Sequence, residues 1–251
     1  MSRHRKLPLP LLFIFLLSLT VSGKNQGVDT QSGAFFRHAR RSGLWPAAEA
    51  VHRRAVTKAR AKLSWTAFEQ LHQDAVCLTY TLWPASDEDT WQGLSAFAID
   101  GSIYQLPAAE AVRQAFEPDS GLNHPGQGHY PHCLVSTVYD VFRRLPIART
   151  VRPLAAANER DEVKALLPFL PRGGVLRFDR GYPSDELIAS LNRHDSGYWL
   201  FRGPAHSTFP AVEAVVRSGH TEAMITLPVS NAQTLTLRAV RLTRPEGTVA
   251  V

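Results

Sequence analysis

Val175-Leu176-Arg177-Phe178-Asp179-Arg180-Gly181-Tyr182-Pro183-Ser184 is the stretch that decides the fold of this chain. Val175–Phe178 is a short, largely apolar run after the Gly173-Gly174 turn, the pattern of a buried strand. Asp179 ends it, and Arg180-Gly181-Tyr182-Pro183 turns the chain. Pro183 stands near the first turn of a helix carrying Leu187, Ile188 and Leu191. Upstream, Asn158 is placed to cap a helix through Glu162, Val163, Leu166 and Leu167, which Pro168 helps to end. With a further strand at Tyr198–Phe201, strands alternate with helices, which predicts a mixed α/β sheet.

Moving outward, Ala96–Ile99, Leu134–Val141 and Ile147–Val151 read as strands, and Arg143-Arg144-Leu145-Pro146 as a hairpin-like connection. Ala223–Leu227 and Leu235–Leu242 add two more. Residues 35–80 read as helical. Pro46 opens one helix through Ala47, Ala50, Val51 and Arg54. Ser64 caps another, with Trp65, Phe68, Leu71, Ala75 and Leu78 along one face. The 251 residues suffice for one large domain or two smaller ones. With 44% hydrophobic and 20% charged residues, collagen-like and mostly disordered readings are excluded. Cys77 and Cys133 are too few for a disulfide framework. There is no GxSxG, GxxxxGK[ST] or HExxH motif. Trp45, Trp65, Trp83, Trp91 and Trp199 are scattered, as core packing would have them.

Charge is unevenly spread. The net charge is +6, but residues 1–80 carry 12 Lys+Arg against 4 Asp+Glu, and the remainder 16 against 18. Arg53, Arg54, Lys58, Arg60 and Lys62 place five positive charges in ten residues. Such a stripe suits a DNA backbone, whose counterions are released on binding; a solvated helix face has the same composition. Leu7–Val21 is almost wholly apolar after Arg3, His4, Arg5 and Lys6, and ends in Val21-Ser22-Gly23. Residues 1–23 therefore fit a signal peptide, although a buried N-terminal helix looks the same. The run is too short for a comfortable membrane span.

Two acids have a chemical reading. Asp100 follows Ala96–Ile99 and precedes Gly101-Ser102; Asp179 follows Val175–Phe178. Both are expected at strand ends, each followed by a turn. Acids on neighbouring strands can hold a hard cation, and Mg²⁺ needs only one or two carboxylates plus water and phosphate oxygens. Paired ions can activate a nucleophile and stabilise the leaving oxygen of an in-line phosphoryl transfer. An Asp before Gly is also an ordinary turn. His124, His129, His132 and Cys133 form a second cluster with zinc-ligand chemistry, but its Gly and Pro content favours a polar loop.

Phe97-Ala98-Ile99-Asp100-Gly101-Ser102 resembles the first-aspartate strand of DDE transposases of the insertion-sequence-four type. Asn158-Glu159-Arg160-Asp161, Leu166-Leu167 and Val175 to Ser184 resemble that family's second-aspartate region. Ala55 to Ser64 is similar to its N-terminal DNA-contacting helices, and Arg5-Lys6-Leu7-Pro8 with the apolar run to its opening helix. Leu227-Pro228-Val229-Ser230 and Leu237 to Leu242 resemble its β-rich insertion.

The resemblance implies a ribonuclease-H-like mixed sheet at 95–203, preceded by a basic helical region at 1–94 and followed by part of the insertion at 204–251. It implies Asp100 and Asp179 as catalytic, metal-binding acids with Mg²⁺, for which Mn²⁺ substitutes. DNA would be the partner through Arg53, Arg54, Lys58, Arg60, Lys62 and Arg180, the last steering a phosphate. It further implies end cleavage and 3′-OH strand transfer, a homodimer across paired ends, a cytoplasmic, nucleoid-associated location and no membrane. The family's third acid lies in a Tyr-x2-Arg-x3-Glu-x6-Lys pattern, which is absent from residues 1–251. Glu213, Glu222 and Glu246 lack that context, so the third acid is unassigned. The expectation is a C-terminally truncated transposase of impaired activity. A non-enzymatic DNA-binding or interfering fragment, and an exported hydrolase with paired aspartates, are the alternatives.

Overall fold

A computed structural model describes residues 7–21, 27–43, 45, 51–117, 129–194, 197–203, 210–230, 233–243 and 249–250. The chain divides into two units, Met1–His72 and Gln73–Val251.

The first unit is helical: α1 (Leu9–Val21), α2 (Val28–Arg41), α3 (Arg53–Arg60) and the start of α4 (Thr66–Leu82). The apolar run 7–21 is a helix whose Leu11, Leu12 and Phe15 are buried among Phe36, Ala39 and Val56. Phe15 lies 5.1 Å from Phe35 and 6.0 Å from Phe36, ring to ring, so aromatic packing ties α1 to α2. Among the described residues no helix is long and apolar enough to cross a membrane. One helical expectation needs correction. Residues 46–50 lie outside the described residues, but Val51 is not helical and α3 starts at Arg53, where His52 accepts the Arg54 N–H as a cap. The helix expected after Ser64 is α4; it has no buried residue, and Trp65 is 72% exposed. Trp83 and Trp91 are exposed as well, so core packing does not account for the tryptophans as a group.

The second unit is built on a five-stranded mixed sheet. β1 (Ser95–Gln105) is followed by α5 (Glu110–Phe116), β2 (His132–Asp140), β3 (Leu145–Pro153), α6 (Glu159–Leu166), β4 (Gly174–Phe178), α7 (Asp185–Arg193) and β5 (Gly197–Phe201). The strand order is β3-β2-β1-β4-β5. β1, β2 and β3 pair antiparallel, whereas β4 pairs parallel with both β1 and β5. The hairpin-like connection after β2 is real, with Arg144 in the left-handed region at φ 54°. α8 (Pro210–Ser218) and the antiparallel pair β6 (Glu222–Ser230) and β7 (Gln233–Val240) follow, then the short pair β8 (Leu242–Thr243) and β9 (Val249–Ala250).

The core lies under one face of the sheet. Phe97, Ile99, Val138, Leu176 and Phe178 pack against Val163 and Leu166 of α6 and Leu187 and Leu191 of α7. These helices form where expected because their caps are in place: the Asn158 side chain accepts the Arg160 N–H, and the Ser184 hydroxyl accepts the Leu187 N–H. β4 lies inside the sheet between β1 and β5, and four of its five residues are buried. Gly174 is required there, since a Cβ would lie 2.5 Å from the Phe97 ring and 2.9 Å from the Ser95 carbonyl oxygen.

A second anchor holds the β2–β3 turn. The Asp140–Arg143 pair is 3.2 Å apart with both side chains 1% exposed. Asp140 also accepts the Tyr80 hydroxyl at 2.9 Å, and Arg143 donates to the Trp83 carbonyl.

Gly174→Ala is expected to cost about 1–3 kcal/mol by overpacking against Phe97, read as a lower urea midpoint with unchanged slope. Asp140→Ala leaves the Arg143 charge buried and unpaired, and is expected to cost about 3–5 kcal/mol in the same measurement.

Candidate functional site

Asp100 and Asp179 are brought together by strand register. β1 and β4 run parallel with Ser95 beside Gly174 and Ala98 beside Arg177. Carried two residues further, that register puts Asp100 level with Asp179, just past the last residue of β4. β4 and β5 pair with Phe178 beside Phe201, so the next level holds Asp179 and Arg202. Continued past the strand ends, these registers carry Asp100 of β1, Asp179 one residue beyond β4 and Arg202 one residue beyond β5 toward the same edge.

Asp100 itself corrects an expectation. It is not at a strand end: β1 continues to Gln105 because β2 pairs with it as far as His132. Gly101-Ser102 is strand, not turn. The ladder to β4 has already ended, at Ala98–Arg177. Asp179 stands as expected, after β4 and before a turn in which the Tyr182 N–H bonds the Asp179 carbonyl at 3.2 Å. Both acids are exposed, so their charge carries little desolvation cost.

Arg202, rather than Arg180, touches the pair. Its guanidinium lies 3.3 Å from Asp179 Oδ1, while its backbone N–H bonds the Phe178 carbonyl. Arg180 is exposed in the turn. Sequence reasoning missed Arg202, although Phe201-Arg202 closes a strand much as Phe178-Asp179 does. Glu159 and Tyr182 were quoted within larger segments but given no role. Glu159, the first residue of α6, overlies Gly101: a Cβ there would meet its Oε1 at 2.8 Å. Tyr182 is 2% exposed, and its ring packs 5.6 Å from that of Phe178. Its hydroxyl is buried beside the Gly101 backbone. Burial pushes the Tyr182 phenol well above its ordinary range, and the charges of Glu159, Asp100 and Asp179 add to the shift.

Arg53, Arg54, Lys58 and Arg60 lie on α3 and Lys62 just beyond it, all exposed, with Val56 buried on the opposite side. None of these five side chains forms an ion pair with another described residue. α2 adds exposed Arg37 and Arg41 to the same unit.

The histidine–cysteine cluster does not form a site among the described residues. His132 and Cys133 are successive on β2 and so face opposite sides. His129 bonds Glu117 at 2.9 Å, and His124 lies outside the described residues.

The donors at the Asp100–Asp179 edge are all oxygen, the chemistry of a hard cation. Among the described residues no three His, Cys, Asp or Glu side chains stand close enough to hold a metal as they are placed. Two carboxylates completed by water and phosphate oxygens meet the requirement of Mg²⁺.

No family model matches the chain. It is similar to one curated protein, "Putative transposase InsZ" of Escherichia coli (strain K12), at 25% identity over 182 residues. The match covers 70% of this chain and 56% of that protein, so the chain spans little more than half the relative's length.

The phenols of Tyr80 and Tyr182 are both raised, chiefly by burial. Unfolded tyrosine titrates near pH 10, so the unfolded state loses these protons first and stability falls above that pH. The Tyr80→Phe/Tyr182→Phe double variant should differ from wild type by a constant amount between about pH 7 and 9, then gain on it above about pH 10. Urea midpoints across that range check this.

Proposed function

We propose that this chain is a transposase-type enzyme that binds DNA and carries out Mg²⁺-dependent phosphoryl transfer. The observation that carries the reading is the level placement of Asp100 and Asp179 on adjacent parallel strands. The likeness to InsZ supports the transposase part, and the strand order β3-β2-β1-β4-β5 is compatible with a ribonuclease-H-like core. On this reading 204–251 is part of a β-rich insertion.

Asp100 and Asp179 hold the ion on this reading, with Mn²⁺ as a substitute. The ion, when bound, supplies an activated water or 3′-hydroxyl and charge stabilisation at the leaving oxygen. Arg202 holds the Asp179 carboxylate at the edge, and its outward N–H groups suit a phosphate oxygen on this reading. Arg180, exposed in the turn after Asp179, is a second phosphate contact on this reading. The Arg53–Lys62 stripe neutralises backbone phosphates, which positions DNA without reading its sequence. The Tyr-x2-Arg-x3-Glu-x6-Lys pattern is absent from these residues, so activity of this chain alone is expected to be weak. That absence also supports a second reading, a DNA-binding fragment without catalysis.

Fluorescence anisotropy with a labelled 40-base-pair duplex, at several salt concentrations, tests the binding part. Arg53→Ala/Arg54→Ala/Lys58→Ala should weaken binding for all sequences and reduce the slope of log K against log salt by about 3. Nicking of a supercoiled plasmid in Mn²⁺ tests the catalytic part. Slow nicking lost in Asp100→Asn and in Asp179→Asn, with DNA binding retained, is expected. DNA binding with no metal-dependent nicking by wild type would sink the enzymatic reading and leave the fragment.

A further inference from the structure

The two faces of the five-stranded sheet differ in character. Phe97, Ile99, Val138, Leu176 and Phe178 point into the core. Strand residues alternate between faces, so Ala98, Asp100, Thr137, Tyr139 and Arg177 point the other way. Register adds Arg149 to them: it lies opposite Thr137 of β2, which lies opposite Asp100 of β1. Register adds Leu200 as well, since Arg177 of β4 stands between Ala98 of β1 and Leu200 of β5. Asp100, Tyr139, Arg149, Arg177 and Leu200 are all exposed. This face therefore carries Asp100 with an arginine on each side of it.

Both arginines are uncommitted. Neither forms an ion pair or a side-chain hydrogen bond with another described residue. Asp179, two residues beyond Arg177, is taken by Arg202. Arg177 is the one exposed residue of β4, a full charge in a strand that is otherwise buried. A guanidinium without a partner keeps its planar set of N–H donors free for an anion, and phosphate fits that set well.

The spacing suits a chain of phosphates. Neighbouring strands lie about 4.8 Å apart and residues rise about 3.3 Å along them. Arg149 is thus two strands from Asp100, about 10 Å, and Arg177 one strand over and two residues back, about 8 Å. From β3 to β4 is three strand spacings, about 14 Å. At about 3.4 Å of rise per nucleotide, that is the length of about four nucleotides of one strand. Ala98, between Tyr139 and Arg177, is too small to bar the way.

We infer that Arg149 and Arg177 are positioning residues that hold phosphates on either side of Asp100, so that one DNA strand crosses this face of the sheet from β3 to β4. The inference rests on the reading of the chain as a DNA-binding, transposase-type enzyme and adds to it a path for the strand.

Fluorescence anisotropy with the labelled 40-base-pair duplex, in EDTA and at several salt concentrations, tests this without metal or reaction. The background is the full chain carrying Asp100→Asn and Asp179→Asn, which removes the two carboxylates that repel phosphate. On it, Arg149→Gln/Arg177→Gln should weaken binding and reduce the slope of log K against log salt by about 2. Arg149→Lys/Arg177→Lys, which keeps both charges, should retain most of the slope. Arg172→Gln, an exposed arginine just before the start of β4, should leave the slope unchanged. Circular dichroism of each variant should match the background. If the Gln pair keeps the slope of its background while Arg53→Ala/Arg54→Ala/Lys58→Ala lowers it, the path over the sheet is overturned and the DNA-binding reading stands. If Arg172→Gln lowers the slope by about 1 as well, the effect is one of net charge, and the path is overturned too. If the background binds no duplex, both readings fall.

Discussion

The parallel register of β4 against β1 is the constraint on which the rest of the second unit depends. Hydrogen bonding fixes Ala98 beside Arg177, and a slip of one residue would turn every β4 side chain to the other face. Phe178 would then leave the core it shares with Tyr182, Leu187 and Leu191. Burial therefore enforces the register, and the register levels Asp100 with Asp179. The same holds one strand over, where Phe178 stacks on Phe201 with ring centres 4.7 Å apart and so sets Arg202 beside Asp179. The acids and the arginine contribute little to stability themselves; their positions follow from the apolar residue that precedes each.

Two glycines show how closely backbone and side chains are fitted near this edge. Gly174 has no Cβ because the Phe97 ring occupies the place, and it lies at the start of the β1–β4 ladder. Gly101 has none where the Glu159 carboxylate and a Leu134 methyl approach. One glycine admits an apolar ring from the neighbouring strand; the other admits a charged group from the helix above. The first serves packing, and the second gives the Glu159 carboxylate room over β1.

Much of the sheet was legible in the sequence because its strands are short apolar runs punctuated by turns. Val175–Phe178, Tyr198–Phe201 and the caps Asn158 and Ser184 depend on local pattern, and local pattern suffices for them. Asp100 was misplaced for the opposite reason. Asp-Gly-Ser carries a strong local turn signal, yet the pairing of β1 with β2, 30 residues or more away in sequence, holds it extended. The glycine there answers to Glu159 rather than to a turn. The Trp65–Leu78 stripe was legible as one face of a helix from its periodicity, which does not say what covers a face, and α4 has no buried residue. Arg202 and Glu159 became visible only when register and helix placement brought them to the aspartates.

The edge also explains how like charges can stay close. Carboxylates one strand spacing apart, about 5 Å, repel by about 1 kcal/mol when water screens them. Exposure therefore lets the fold keep Asp100 and Asp179 side by side at little cost, with Arg202 offsetting part of it. A DNA phosphate arriving at the same edge changes that balance. It adds negative charge and displaces the screening water, so the repulsion rises as the effective dielectric falls. One guanidinium cannot offset two carboxylates and a phosphate. A divalent cation can offset more of that charge, and the edge offers it the carboxylate oxygens of Asp100 and Asp179. The fold is thus tolerant of its acids when empty and in need of a cation when engaged, which is the electrostatic condition for a metal-assisted phosphoryl-transfer site on the reading proposed here.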